Sequence, residues 1–180
     1  MAEGTGRTGP WLGRLTWLLI CFALIFIQLL PLNTLPPSWA APDFMLVVTL
    51  AWVARRPDYA PAMMIVPVFL ISDLLFGRPP GLHTAFVLIL TEALRAQANS
   101  LRNVPFPLEW ATVALGIVAL ALASRIVLAV VVTPQAPLRL TMIEMALTCM
   151  VYPLVVATAH LVFGVSRPAP GEVDALGHRV

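Results

Sequence analysis

The sequence predicts an all-α membrane protein with six transmembrane helices, and three features point to this fold class. Only 11% of the 180 residues are charged while 59% are hydrophobic, whereas a soluble domain carries about a quarter charged residues. The hydrophobic residues form runs near the length of about 20 residues that a helix needs to cross a bilayer. The arginines are concentrated in every second segment that connects these runs. We therefore expect lipid, not water, to surround most of the chain.

Prolines, glycines and arginines separate the hydrophobic runs, and they set the predicted helix ends. The predicted helices cover residues 15–30, 42–54, 59–76, 82–98, 110–132 and 138–163. The second helix would be about 20 Å long, which is less than the hydrocarbon core of about 30 Å. It is expected either to extend back to Ser38 or to be partly re-entrant. Pro67 and Pro153 lie inside the third and sixth helices, where each is expected to bend its helix.

Arginine placement predicts the orientation, because cytoplasmic segments of membrane proteins are enriched in positive charge. With the amino terminus inside, eight of the eleven arginines fall in cytoplasmic segments, and only Arg78 and Arg139 fall in outer loops. Both termini are therefore expected in the cytoplasm. Residues 1–166 would form one membrane domain, and the polar residues 167–180 would form a disordered cytoplasmic tail.

Four polar residues are predicted to gather at the outer ends of helices two, three and four. They are Asp43, Asp73, Arg78 and His83. Ionisable groups in a membrane protein are costly, so each needs a partner, a wet cavity or an interfacial position. Two interpretations are open: a polar network that shapes a partner-binding groove, or helix capping with a single Asp73–Arg78 pair. Asp43 could also simply complement the amino-terminal dipole of helix two.

Two ion pairs are predicted within the helices. Arg125 and Glu144 lie at similar depth on helices five and six, where a buried bridge would lock the two helices together. Removing one partner of such a bridge is expected to cost far more than replacing both with apolar residues. Glu92 and Arg95 are three residues apart on helix four, a spacing that permits a local ion pair.

The sequence contains no pattern that predicts catalysis, metal binding or nucleic-acid binding. No nucleophile has a histidine and an acid at a plausible spacing, and no phosphate-binding loop is present. Cys21 and Cys149 lie singly in hydrophobic runs, where cysteine behaves as a small hydrophobic residue. No basic run suggests nucleic acid as a partner. We therefore expect neither an enzyme nor a cofactor or metal.

One stretch of the chain, residues 42–83, carries a pattern beyond composition. It begins P-D-F-M-L-V-V-T-L-A-W-V-A-R-R-P and, after an apolar helix, continues S-D-L-L-F-G-R-P-P-G-L-H. This stretch resembles the MreD family of bacterial rod shape-determining proteins, and it covers about a quarter of the chain. Pro80 departs from the leucine that family members often carry before the second glycine of the turn, and it stiffens that turn.

The resemblance implies a non-enzymatic scaffold of the cell-elongation machinery in the bacterial inner membrane. It implies binding to MreC, and with it to the MreB filament system, RodA and a class B penicillin-binding protein, linking peptidoglycan synthesis to rod shape. It also implies kinship in fold with the membrane substrate-binding subunits of energy-coupling-factor transporters. On this basis Asp43, Asp73, Arg78 and His83 form the expected partner-binding patch.

The alternative function is a small-molecule binding subunit of a membrane transporter. The short second helix and the helix prolines favour it, because broken helices often mark binding sites in transporters. However, no pair of interrupted helices repeats between two halves of the chain, and aromatic residues that could stack on a ligand are sparse.

Overall fold

A computed structural model describes residues 10–30, 40–98, 100, 104–133, 135–163 and 165, and all regular structure in them is helical. The helices are α1 Pro10–Leu29, α2 Phe44–Arg55, α3 Ala62–Leu75, α4 Leu82–Ala96, α5 Phe106–Val130 and α6 Leu138–Phe163. A 3₁₀ turn, Pro57–Tyr59, connects α2 to α3. The predicted cytoplasmic tail, residues 167–180, lies outside the described residues.

Three of the helices are long and apolar enough to cross a membrane, namely α1, α5 and α6. Their outward faces carry large apolar side chains, such as Phe26 at 64% exposed, Leu115 at 70% and Leu161 at 80%. Extended apolar surfaces of this kind are rare on soluble monomers. Together, the three helices indicate association with a membrane.

Two helices begin earlier than the sequence predicted. Helix α1 begins at Pro10, not at residue 15, and α5 begins at Phe106, not at residue 110. Each extension contains a charged residue that the structure satisfies. Arg14 donates a hydrogen bond from Nε to the carbonyl oxygen of Asp58 at 2.9 Å, and Glu109 is buried beside Arg55. Because these charges have partners, they do not end the helices.

Helix α2 forms the centre of the bundle. Its ten residues from Met45 to Ala54 are all buried, and it packs against α6, α4 and α1. A helix that is apolar on all sides is stable only when it is surrounded. Its 12 residues span about 18 Å, so protein and not lipid covers most of this short helix.

Helices α3 and α4 form an antiparallel pair joined by a tight turn. Gly77 and Gly81 adopt φ angles of 63° and 84° in this turn. Glycine enters this left-handed region without the steric cost that a side chain brings. Helix α4 packs in turn against α5. Pro67 and Pro153 lie within α3 and α6, which continue past both prolines.

Candidate functional site

A polar cavity of about 270 Å³ lies where α2, α4 and α6 begin and α5 ends. Five ionisable side chains line it, one from each of five segments: Asp43 before α2, Arg78 in the α3–α4 turn, His83 in α4, Arg125 in α5 and Glu144 in α6. The rest of the wall is mainly apolar, and includes Leu46, Ile117, Leu120, Leu128 and Met145. The fold therefore brings together three of the four residues that were predicted to form an outer cluster.

Asp43 connects the start of α2 to α6. Its carboxylate accepts a hydrogen bond from the backbone N–H of Leu46 at 2.9 Å, which caps α2. Its own backbone N–H donates to the hydroxyl oxygen of Thr148 at 3.0 Å. One residue thus fixes the first turn of the central helix and anchors it to its neighbour.

His83 faces Asp43 across the cavity wall. The Nε2 atom of His83 lies 3.5 Å from Oδ2 of Asp43, and the two side chains are 15% and 10% exposed. This separation is longer than a good hydrogen bond, and it becomes an ion pair when the imidazole is protonated. The ring of His83 also lies 5.9 Å from that of Phe69, centroid to centroid.

Asp73 is fully buried behind the cavity and not in its wall. Its Oδ2 atom accepts three hydrogen bonds: from the backbone N–H of Gly81 at 3.1 Å, from that of Thr84 at 3.2 Å and from the Thr84 hydroxyl at 2.8 Å. Asp73 therefore caps α4 from a different helix. The predicted Asp73–Arg78 side-chain pair is not formed; the two residues share only a backbone hydrogen bond of 2.9 Å.

The guanidinium group of Arg78 lies 5.8 Å from the centroid of the Phe76 ring. Within the described ranges, this group makes no hydrogen bond and no ion pair within 4 Å. Arg78 lines the polar cavity and also a second cavity of about 250 Å³, which Asp43 and Glu144 line as well. The side chain of Arg78 thus lines two cavities that Asp43 and Glu144 also line.

The predicted ion pair between Arg125 and Glu144 is not formed, because Arg125 bonds to other groups. Arg125 donates from Nη1 to the hydroxyl oxygen of Thr141 at 2.8 Å and to the carbonyl oxygen of Ala136 at 3.2 Å. Gln135 donates in turn to the carbonyl oxygen of Arg125 at 3.2 Å. The acceptors for Nη1 are thus two neutral groups near the α5–α6 connection. Glu144 lies one helical turn beyond Thr141 in the same wall.

Glu92 and Arg95 lie toward the opposite end of α4 from the cavity, with 3.1 Å between Nε of Arg95 and Oε1 of Glu92. Arg95 also donates to the carbonyl oxygens of Pro57 and Ala60, each at 2.9 Å. These two bonds attach α4 to the connection between α2 and α3. Arg95 is thus part of the scaffold and not of the cavity.

A buried polar group at this end of the bundle, which contains Glu109, was not predicted from the sequence. Glu109 is 1% exposed, and its Oε1 lies 3.4 Å from Nε of Arg55. Tyr152 donates a hydrogen bond from its hydroxyl to Oε1 of Glu109 at 2.8 Å. The three residues connect α2, α5 and α6. A signal was available, because the end of α2 and the start of α5 were predicted on the same side of the membrane.

The cavity wall presents two guanidinium groups, two carboxylates and one imidazole. Among the residues for which coordinates are described, no group of three or more histidine, cysteine, aspartate or glutamate side chains could hold a metal ion. Ser124, Thr141 and Thr148 contribute hydroxyl groups to the wall. The arrangement is suited to recognising separated charges by hydrogen bonds and ion pairs.

Comparisons with known proteins find no relative of this chain. No protein-family model matches the chain, and neither a curated protein nor a solved structure matches it. The cavity and the residues around it are therefore the basis on which a function is proposed.

Proposed function

We propose that this chain is an MreD-like, non-enzymatic membrane scaffold of the bacterial cell-elongation machinery. In this proposal it binds MreC and, within a larger complex, the MreB filament system, RodA and a class B penicillin-binding protein. One observation carries the proposal. Asp43, Arg78 and His83, which belong to the stretch that carries the resemblance, line one cavity. Asp73, in the same stretch, accepts a hydrogen bond from Gly81 in the turn between Arg78 and His83.

In the proposed topology all six helices cross the inner membrane, with both termini in the cytoplasm. The arginine distribution supports this orientation, and the three long apolar helices support membrane insertion. Helix α2, of 12 residues, crosses where neighbouring helices surround it, and α3 and α4, of 14 and 15 residues, cross beside it. The cavity then opens toward the outer surface, where peptidoglycan is built and partner ectodomains lie.

Partner helices would bind by close packing to the exposed faces of α1, α5 and α6. The cavity rim would receive polar groups of MreC. Hydrogen bonds to charged groups contribute about 1.5–3 kcal/mol each, so a contact with the half-buried guanidinium of Arg78 would give specificity at modest cost.

The test is co-purification with MreC from membranes, combined with cell shape after depletion of this chain. We expect a stable complex and rounded cells on depletion. Arg78→Gln should weaken the complex, whereas Arg139→Gln, which changes an exposed arginine outside the cavity wall, should not. A depletion strain that keeps its rod shape and yields no complex with MreC would contradict the proposal.

The cavity itself favours a second candidate, the small-molecule binding subunit of a transporter. Its wall is mainly apolar with a few converging charged groups, which is the usual composition of a ligand site. In this case the chain would co-purify with a transport ATPase module and not with MreC, and depletion would impair uptake of a solute while cells stay rod-shaped.

A further inference from the structure

The polar cavity contains two side chains of opposite charge that make no direct contact with each other. Glu144 in α6 and Arg78 in the α3–α4 turn line both cavities, yet neither side chain forms an ion pair or a hydrogen bond with another described residue. Charged groups inside a largely apolar bundle are costly unless they have partners. Two groups of opposite sign that line the same cavity without direct contact therefore suit a ligand that carries both charges.

One more polar atom in the same wall lacks a hydrogen-bond partner in the part of the chain that the structure describes. Oγ of Ser124 is buried and makes no hydrogen bond there, and Ser124 lines the cavity. Nε2 of His83 makes no hydrogen bond either, but it lies 3.5 Å from Oδ2 of Asp43, with which it forms an ion pair when protonated. Buried polar atoms in native proteins nearly always have a partner, so Oγ of Ser124 is available to a bound polar group.

Charge balance decides the class of ligand. Arg78 and Arg125 contribute two positive charges to the wall, and Asp43 and Glu144 contribute two negative charges. A simple anion would be attracted by the arginines but repelled by the carboxylates, and a simple cation would meet the reverse. A ligand with no net charge but with separated charges can offer a partner to Arg78 and to Glu144 at the same time.

Size and surroundings narrow the class further. The cavity of about 270 Å³ is slightly below the range of about 300–1,000 Å³ that holds drug-sized ligands, so it suits a small molecule or a headgroup. Guanidinium groups bind phosphate well because their planar donors match its oxygens. The apolar residues Leu46, Ile117 and Leu128 in the wall suit the carbon atoms of such a ligand.

We propose that this cavity binds a zwitterionic phosphodiester, an ethanolamine ammonium joined to a phosphate, with the phosphate on Arg78 and the ammonium on Glu144. Such a group occurs as the headgroup of phosphatidylethanolamine and as soluble glycerophosphoethanolamine. The inference rests on the cavity alone. It names a ligand for the second candidate function and adds a regulatory or structural ligand to the scaffold, so it stands or falls separately from MreC binding.

The test is native mass spectrometry of the full-length, lipid-depleted protein in mild detergent. Equal amounts of phosphatidylethanolamine and phosphatidylglycerol are added, because the second lipid carries the phosphate without the ammonium. We expect phosphatidylethanolamine to be retained about tenfold more, since a charge-assisted hydrogen bond to an ammonium is worth about that ratio. Equal retention of the two lipids would overturn the proposal, and this comparison needs no variant.

Variants locate the site. Arg78→Gln and Glu144→Gln should each remove the preference, and the matched control Arg139→Gln should keep it. A preference that survives both cavity variants would also overturn the proposal. Competition by glycerophosphoethanolamine at millimolar concentration distinguishes the two sources: displacement of the lipid supports a soluble ligand, and selective binding of the lipid without displacement supports a membrane headgroup.

Discussion

Asp73 uses a single carboxylate oxygen to accept three hydrogen bonds across the α3–α4 turn. It thereby satisfies donors at the start of α4 that have no partner inside that helix. The glycines of the turn let the chain reverse, and Asp73 determines where the next helix begins. The cavity depends on this residue indirectly, because His83 and Arg78 are attached to the same turn.

Asp73→Ala should destabilise the protein by about 1–2 kcal/mol, which is the upper part of the range for losing an amino-terminal cap. Asp73→Asn should cost less, because its amide oxygen can still accept the three hydrogen bonds. Thermal unfolding in detergent, followed by tryptophan fluorescence, measures both. The matched control is Asp58→Ala, at an exposed aspartate. Equal midpoints for Asp73→Ala and Asp58→Ala would show that the cap contributes nothing.

Helices α2, α5 and α6 are joined at one end by the group formed by Arg55, Glu109 and Tyr152. Glu109 is almost completely buried, whereas the side chain of Arg55 is 12% exposed. In the low dielectric of the bundle such a pair is costly to break, because the remaining charge keeps its desolvation penalty. Glu92, which forms an ion pair with Arg95, has a side chain that is 49% exposed.

Glu109→Leu should destabilise the protein by about 3–5 kcal/mol, since it leaves the Arg55 charge without its carboxylate. The double variant Arg55→Leu with Glu109→Leu should recover much of that loss. Glu92→Leu, the same replacement at an exposed pair, should cost less than about 1 kcal/mol. The single variant Arg55→Leu completes the cycle, and protein yield and thermal midpoint are measured for the unchanged protein and the four variants. If the double variant lost stability equal to the sum of the losses from Arg55→Leu and Glu109→Leu, the pair would not be coupled.

At the scale of the molecule, the bundle combines three long helices with three short ones. Helices α1, α5 and α6 contain 20, 25 and 26 residues, enough for about 30 Å or more at 1.5 Å per residue. Helices α2, α3 and α4 reach only about 18–22 Å. The cavity lies where α2, α4 and α6 begin and α5 ends, so short and long helices both contribute to its wall.

The chain should remain in the membrane fraction after alkaline washing. A cysteine placed at position 56 in a chain lacking Cys21 and Cys149 should resist an impermeant reagent added outside the cell, and one at position 139 should react. Arg139 is exposed at the start of α6, so it reports accessibility without touching the cavity. Labelling of position 56 in intact cells, or release of the protein by the alkaline wash, would contradict the proposed topology.

The existence and order of the helices could be predicted because runs of apolar residues and the prolines between them are local signals. The starts of α1 and α5 were placed too late because the apolar runs begin only after Arg14 and Glu109. Their partners, the Asp58 carbonyl and Arg55, come from distant parts of the chain. Whether a charge ends a helix depends on such contacts, which hydropathy does not contain.

The candidate cluster could be predicted from helix alternation alone, because that places Asp43, Arg78 and His83 at the same end of the bundle. The partners of Arg125 could not be predicted, because they are a backbone carbonyl and a threonine hydroxyl. These groups are neutral, so matching opposite charges in the sequence does not find them. The role of Asp73 was also hidden. The positions of the groups that donate to its carboxylate depend on the conformation of the turn, in which Gly77 and Gly81 are left-handed.

The central position of α2 has a consequence for biosynthesis. Its most extensive packing is with α6, and the hydrogen bond between Asp43 and Thr148 fastens its first turn to that helix. Because α3, α4 and α5 lie between α2 and α6 in the sequence, a nascent chain holds α2 without its main neighbour until all three have been synthesised. A messenger truncated before the codon for Leu138 should therefore yield a product that membrane proteases degrade quickly, even though α1 to α5 have been translated.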